Sequence, residues 1–347
     1  MTNSLKKNRM EDKSILLGHG SGGRLSHELI KEVFYSQFDN PILAGQTDSA
    51  LLQIPGKNLA FTTDSYVVDP LFFNGGNIGK LAVCGTVNDL AVSGAVPRYI
   101  SAGFIIEEGF PINDLKTIVA SMAATAKDAE VVIVTGDTKI VNKGQCDKLF
   151  INTSGIGILE EKHQHISSGK SIKTGDCLLL NGSIADHGMT IMASRNFGSF
   201  NTDIASDCAP LNHMIHEVLD AGCLVKFMRD ATRGGLATVL CELAEHNNLG
   251  IEINESEILI KENVRGICEL LGFDPFYVAN EGKVLMVVDS KDAEKALQIM
   301  RQNEFGKEAT IIGTVVDEPR GKAVLKTTIG GRRIMDMLAG EQLPRIC

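Results

Sequence analysis

LAFTTDSYVVDPLFFNGGNIGKLAVCGTVNDLAVSGAVPRYISAGFII, residues 59–106, decides the fold class. Its apolar spacing reads as a strand over 59–64, a helix over about 78–93 and a strand over 98–106. The same alternation continues outward. Towards the N-terminus, Gly18 to Gly23 form a glycine-rich turn, then Leu25, Leu29, Val33 and Phe34 fall at helical spacing, and a strand is expected around 49–54. Towards the C-terminus come a helix near 113–127, a strand at 130–135 (EVVIVT) whose apolar run predicts burial, and a strand at 149–159. Gly169 to Asp176 reads as a turn between two halves. Beyond it CLLLNG begins a second set, with helices expected at 186–195, 211–221, 235–247, 261–271 and 291–304. Strands are expected there near 250–253, 283–289, 309–316 and 322–328.

Strands and helices alternating throughout predict α/β (α+β) layers rather than a bundle or a sandwich. The expected organisation is a disordered polar arm (1–14), two domains of similar size (15–165 and 166–330) and a terminal segment (331–347). With 347 residues, 44% hydrophobic and 22% charged, the chain can bury two cores. It has no Trp, so those cores must be aliphatic.

The net charge of −9 and the lack of a basic run exclude nucleic acid and anionic membranes as partners. No apolar stretch approaches the roughly 20 residues that span a bilayer. MTNSLKKNRMEDKS lacks the apolar core of a secretory signal. The eight cysteines (84, 146, 177, 208, 223, 241, 268 and 347) contain no CxxC pair, and the first seven read as reduced thiols of a cytoplasmic protein. Cys347 differs, being the final residue. GRRIMDMLAGEQLPRIC predicts a short amphipathic helix capped at Gly340 and stopped by Pro344, then an extended tail. Five extended residues reach roughly 17 Å, enough to bring Cys347 into a pocket.

Two glycine motifs mislead. GHGSGG (18–23) fits G-x-G-x-x-G, but the preceding strand is only ILL and no parallel strand follows. A loop whose N–H groups, at Gly20 and Gly22 among others, cradle phosphate is the better reading, with a solvated loop the plain alternative. FNGGNIGKL (73–81) resembles a P-loop without its first glycine or its Ser/Thr, although Lys80 at a helix start could still meet phosphate. The stronger signal is a set of aspartates at the ends of apolar runs: Asp48, Asp64, Asp89, Asp137 and Asp230. Singly, each reads as a cap or turn residue. Together they predict a shared site for Mg²⁺ and a nucleotide, because an unpaired carboxylate in apolar surroundings is costly. Lys139 in GDTK and Glu281 in ANEGK are candidates to hold charge or move a proton, against the alternative of rim salt bridges. DHG (Asp186, His187) reads as a helix start.

TTDSYVVDPLFFNGGNIGKLAVCGTVNDLAVSGAVP (62–97), GDTK, DHGM, RDATRGGLA, ANEGK and the terminal PRIC closely resemble the HypE family of hydrogenase maturation factors. The resemblance runs from about Gly18 to Cys347. More broadly, the chain is similar to the superfamily of aminoimidazole ribonucleotide synthetase, selenophosphate synthetase and thiamine-monophosphate kinase. That implies a two-domain fold whose N-terminal sheet domain binds ATP and dimerises, a C-terminal α/β domain and a flexible tail. It also implies a reaction. The carbamoyltransferase HypF loads a carbamoyl group onto Cys347, and ATP phosphorylates the carboxamide oxygen. Loss of phosphate leaves a thiocyanate, and cyanide passes to iron on a HypC–HypD complex for the [NiFe] hydrogenase site. Phosphorylation turns oxide, a very poor leaving group, into phosphate; cations must offset the transferring charge and bases must remove two N–H protons.

By the same resemblance, Asp48, Asp64, Asp89 and Asp230 would hold Mg²⁺, and Gly136, Asp137 and Thr138 would lie by the nucleotide. Lys139 and Glu281 would be the bases. Ala231 and Asn74 stand where the family commonly has proline, with no consequence for these roles. A selenophosphate synthetase would carry Cys or selenocysteine where this chain has Ser21. A thiamine-phosphate kinase would have no use for a tail ending in Cys, and a non-catalytic scaffold would leave the aspartates unexplained.

Overall fold

The computed structural model describes residues 23–29, 50–54, 57–196, 203–338, 340, 343 and 345–347. The arm, the glycine loop with Gly20 and Gly22, and Asp48 lie outside them. Of the first expected helix, Arg24–Leu29 (α1) is described.

The first half is a five-stranded sheet: β1 (Ala50–Ile54), β2 (Lys57–Tyr66), β5 (Ala95–Glu107), β6 (Val132–Val141) and β7 (Leu149–Leu159). They lie in the order β1-β2-β7-β5-β6. Only β5 and β6 pair in parallel, which requires a crossover, and α3 (Ile112–Asp128) supplies it. A two-stranded ribbon, β3 (Phe72–Phe73) and β4 (Gly76–Asn77), leads into α2 (Ile78–Val92). The Asn77 side chain caps α2 by accepting from the Gly79 and Lys80 N–H groups at 2.9 and 3.1 Å. Apolar on every side, α2 is buried almost throughout. Thr86 and Thr153 hydroxyls meet at 2.6 Å and tie α2 to β7.

The second half is a seven-stranded mixed sheet. Its strands are β8 (Cys177–Leu180), β9 (Val225–Asp230), β10 (Gly250–Asn254), β11 (Val284–Val288), β12 (Thr310–Val316), β13 (Lys322–Lys326) and β14 (Arg332–Met335). The order is β14-β13-β10-β12-β8-β11-β9. Both faces are covered, which is why LLL and VLMVV can be continuously apolar. Leu178, Leu180, Leu285 and Val287 pack with α6 (Gly235–Asn247) on one face. Leu179, Val284, Met286 and Val288 pack with α5 (Asn212–Asp220) and α8 (Ala293–Gln302) on the other. Two further helices, α4 (Asp186–Asn196) and α7 (Glu262–Leu271), complete the half.

Three local expectations are corrected. Of EVVIVT, residues 132–135 open β6 while Glu130 and Val131 precede it, and β6 is an exposed edge strand: Val134 is 55% and Ile140 64% exposed. Apolar composition predicts a strand here without saying what covers it. VKFMRD forms β9, a strand its sequence does not announce because Lys226 and Arg229 break the apolar run. Lys226 is nevertheless buried, 3.6 Å from Asp289. The helix expected in GRRIMDMLAG is instead β14, paired antiparallel to β13. The Gly330–Gly331 turn, with Gly330 at φ +85°, closes a hairpin, and Thr327 N–H donates to the Gly331 carbonyl at 2.9 Å.

The two halves share a seam. Asn88 of α2 donates to the carbonyls of Ala209 and Glu281 at 3.0 and 3.3 Å and accepts from the Leu211 N–H at 2.8 Å. Among the described residues, no helix is long and apolar enough to cross a membrane.

Candidate active site

Residues 62, 64 and 66 alternate onto the face of β2 that meets α2. The Thr62 hydroxyl donates to Asp89 Oδ2 at 2.7 Å, and the Tyr66 hydroxyl donates to Asp64 Oδ2 at 3.1 Å. Tyr66 can sit against α2 only because residue 85 is glycine: a Cβ there would lie 2.2 Å from the phenol oxygen. Burial, reinforced by Asp64 and Asp89, pushes the Tyr66 phenol well above its usual range, so it stays a donor.

Across the seam, the loop after α7 carries Glu281, 3% exposed. Asp207 holds the backbone of that loop, accepting the N–H groups of Glu281 and Gly282 at 3.2 Å each and lying 3.0 Å from Lys283 Nζ. Burial works to raise the Asp207 carboxyl, but Lys283, His187 and the Glu281 N–H outweigh it and hold it below the ordinary range. Glu281 goes the other way. Burial, then Cys208, Asp230, Asp207 and Asp64, push it well above the ordinary range. Its Oε1 is buried with no hydrogen-bond partner among the described residues.

The C-terminal residues run into this seam. Val67 N–H donates to the Cys347 carbonyl at 3.1 Å and Asp69 N–H to the Arg345 carbonyl at 3.3 Å, so residues 345–347 lie alongside residues 67–69. Arg345 Nε donates back to the Val67 carbonyl at 3.0 Å, and its guanidinium pairs with Asp147. Ile346 is buried in the first half's core. Cys347 is part-exposed as a residue, yet its thiol is enclosed. Burial pushes that thiol up to about 12; Arg233 opposes the rise, and Glu281, Asp64 and Asp230 add to it. Arg233 is an exposed residue at the rim of the seam, and Cys347, then Asp64, Glu281 and Tyr66, favour its charge.

The structure therefore gathers Cys347, Glu281, Asp64, Asp89 and Asp230 from the sequence-derived set around one seam. Arg233 and Asp207 were missed. Arg233 stood inside RDATRGGLA, where an Arg beside a glycine pair before a helix was the available signal. Asp207 in SDCAP had none, since its partners lie over 70 residues away. Lys80 starts α2 but donates to the Gly75 carbonyl at 2.9 Å. Gly136, Asp137, Thr138 and Lys139 lie on exposed β6. Asp137 is held below its usual range by the Thr138 N–H and Lys139, and Lys139, 71% exposed, pairs with Asp137 at 3.3 Å. Within one chain, Lys139 and Glu281 do not meet.

Among the described residues, no three His, Cys, Asp or Glu side chains converge into a metal cage. Mg²⁺ brought by a nucleotide needs only one or two carboxylates, its other ligands being phosphate oxygens and waters. Asp64 and Asp89 on facing elements fit that smaller demand.

Two sheet domains meeting at an acidic seam define a class: AIR synthase related proteins, whose N-terminal and C-terminal domain models match residues 46–159 and 173–326. The chain is 47% identical over 341 residues to the carbamoyl dehydratase HypE of Rhodobacter capsulatus, covering 97% of this chain and 99% of that protein. The crystal structure of a HypE–HypF complex superimposes with a TM-score of 0.83 at 50% identity, covering 89% of this chain and 99% of that one. HypE in complex with ATP gives 0.80 at 46% identity, covering 96% and 100%. The chain belongs to the HypE family of carbamoyl dehydratases.

Proposed function

We propose that the protein uses ATP to dehydrate an S-carbamoyl group carried on its own Cys347 to a thiocyanate, supplying cyanide for [NiFe] hydrogenase maturation. The observation that carries this reading is the buried Glu281 carboxyl, with an orphaned oxygen, in the seam where its charge and that of Arg233 both act on the thiol of Cys347. ATP phosphorylates the carboxamide oxygen, phosphate departs, the nitrogen loses two protons, and S–C≡N remains. Mg²⁺, held by Asp64 and Asp89 with Asp230 and Asp48 as further candidates, would offset charge on the phosphates.

This chain's residues do the rest. Arg233 places a fixed cation beside the carbamoyl oxygen as it takes on negative charge. Glu281, whose burial raises its carboxyl above the ordinary range, is as carboxylate a stronger base than usual and accepts an N–H proton. Val67 fixes the Cys347 backbone. A thiol near 12 is thiolate in only roughly one molecule in 100,000 at pH 7, so the docked cysteine is a poor nucleophile. Loading by HypF is therefore read as a step of the undocked tail.

The apolar edge of β6, with Val132, Val134 and Ile140 exposed, supports a homodimer through the first sheet. In such a dimer Lys139, Gly136, Asp137 and Thr138 would serve a site that their own chain does not complete. HypF and a HypC–HypD complex are the expected partners, and the cytoplasm, where eight free thiols stay reduced, is the expected location. Intact-protein mass spectrometry after incubation with HypF, carbamoyl phosphate and ATP tests the reading. A cyano adduct on the C-terminal peptide is expected; a carbamoyl adduct that persists in ATP would refute it.

A further inference from the structure

The DHG stretch that opens α4 does more than start a helix. His187 is completely buried, edge-on to the Phe73 ring at 5.5 Å. Its Nδ1 lies 2.7 Å from Ser206 Oγ and its Nε2 2.7 Å from the Ile346 carbonyl oxygen. A carbonyl can only accept, so Nε2 carries the proton and Nδ1 accepts from the Ser206 hydroxyl. That hydroxyl oxygen also accepts the Cys208 N–H at 3.1 Å, which fixes its orientation. About two helical turns later on α4, Arg195 Nε donates to the Asp69 carbonyl at 2.5 Å, and its Nη2 donates to the Arg345 carbonyl. The side chains of α4 thus grip the main-chain carbonyls of two consecutive tail residues, and Arg195 bridges the tail to the 67–69 segment it lies against. The chemistry above uses neither side chain.

We propose that His187 and Arg195 form a latch for the tail. As positioning residues they set how much of the time Cys347 is docked for dehydration rather than released for loading. The contacts are to backbone, so the latch grips the tail whether or not its thiol carries a carbamoyl group. This inference rests on the reading of Cys347 as a carrier, but its test does not require turnover.

The test is the rate at which iodoacetamide alkylates Cys347 in the folded protein, followed on the C-terminal peptide with part-exposed Cys146 as internal reference. His187→Leu removes the donor at similar volume, His187→Gln keeps an N–H donor near the Nε2 position, and Arg195→Ala removes the bridge. Losing one such hydrogen bond should raise the alkylation rate about three- to tenfold in the Leu and Ala variants. His187→Gln should stay near the wild-type rate. Dehydration of a preloaded carbamoyl group should slow in the Leu and Ala variants, while loading is unchanged or faster. Should His187→Leu fail to fold, Arg195→Ala decides alone. An unchanged rate in Arg195→Ala, or equal rises in the Gln and Leu variants, overturns the latch. If the wild-type protein forms no thiocyanate, the dehydratase reading fails while the order of alkylation rates still tests the latch.

Discussion

Asp207 and Glu281 are two buried carboxyl groups whose acidities are driven apart: Asp207 accepts the Glu281 N–H at 3.2 Å and stays charged against Lys283, while Glu281 is pushed towards its neutral form. Where neighbouring titratable groups are separated in this way, their environments assign them different tasks. One anchors a loop and the other is poised to exchange a proton.

Asp207→Asn should therefore be among the most damaging single changes. It leaves Lys283 buried without its counter-charge, a loss of about 3–5 kcal/mol, read as a lower urea midpoint. The wild-type folded carboxyl is depressed, so its contribution is present above the ordinary carboxylate range and is lost as pH falls through the folded value. The variant should accordingly differ least from wild type in strong acid.

Glu281→Gln should separate stability from activity. The folded carboxyl is raised above the ordinary value of 4.5, so ionising it costs stability as pH climbs from there. In the nucleotide-free protein the Gln variant should melt higher than wild type at neutral pH, and the gain should vanish below about pH 4.5. Thiocyanate formation should fall about 10²–10⁴-fold, as expected on removing a proton acceptor. A variant that melts no higher and turns over normally would remove Glu281 from the chemistry.

Cys347→Ala removes the carrier atom while sparing the backbone contacts to Val67. The expected result is no carbamoyl or cyano adduct, unchanged ATP affinity, and stability within about 1 kcal/mol of wild type by thermal melting. Loss of folding would instead make Cys347 a structural residue.

Asp89→Asn preserves an oxygen that can accept the Thr62 hydroxyl but discards the charge. Calorimetric titration should show Mg-ATP binding weakened about 10–100-fold, the range for losing one interaction with a charged group. Unchanged affinity would place the nucleotide elsewhere.

A charge placed on the β6 edge tests the dimer. Val134→Asp and Ile140→Asp sit at exposed positions, so neither should unfold the chain. Sedimentation velocity should show them shifted towards monomer relative to wild type.

Much of this was written locally. The mostly apolar helix over 78–92, its Asn77 cap and the buried runs LLL and VLMVV follow from hydrophobic period and cap chemistry, which act within a few residues. The same holds for the aspartates that close apolar runs, and for Cys347 beyond Pro344. Tertiary structure decided what those elements face. EVVIVT and VLMVV have similar composition, yet β11 is buried on both faces and β6 lies open at an edge, because covering depends on which helices pack there. The Gly330–Gly331 hairpin overrode the helical pattern of GRRIMDMLAG once β13 offered a pairing edge. His187 meets Ile346 across 159 residues and Asn88 meets Glu281 across 193. Arg233, Asp207 and the grip on the tail therefore emerged only when the two halves closed on one another. Composition and spacing are local, whereas the field around a thiol sums charges brought from every part of the chain.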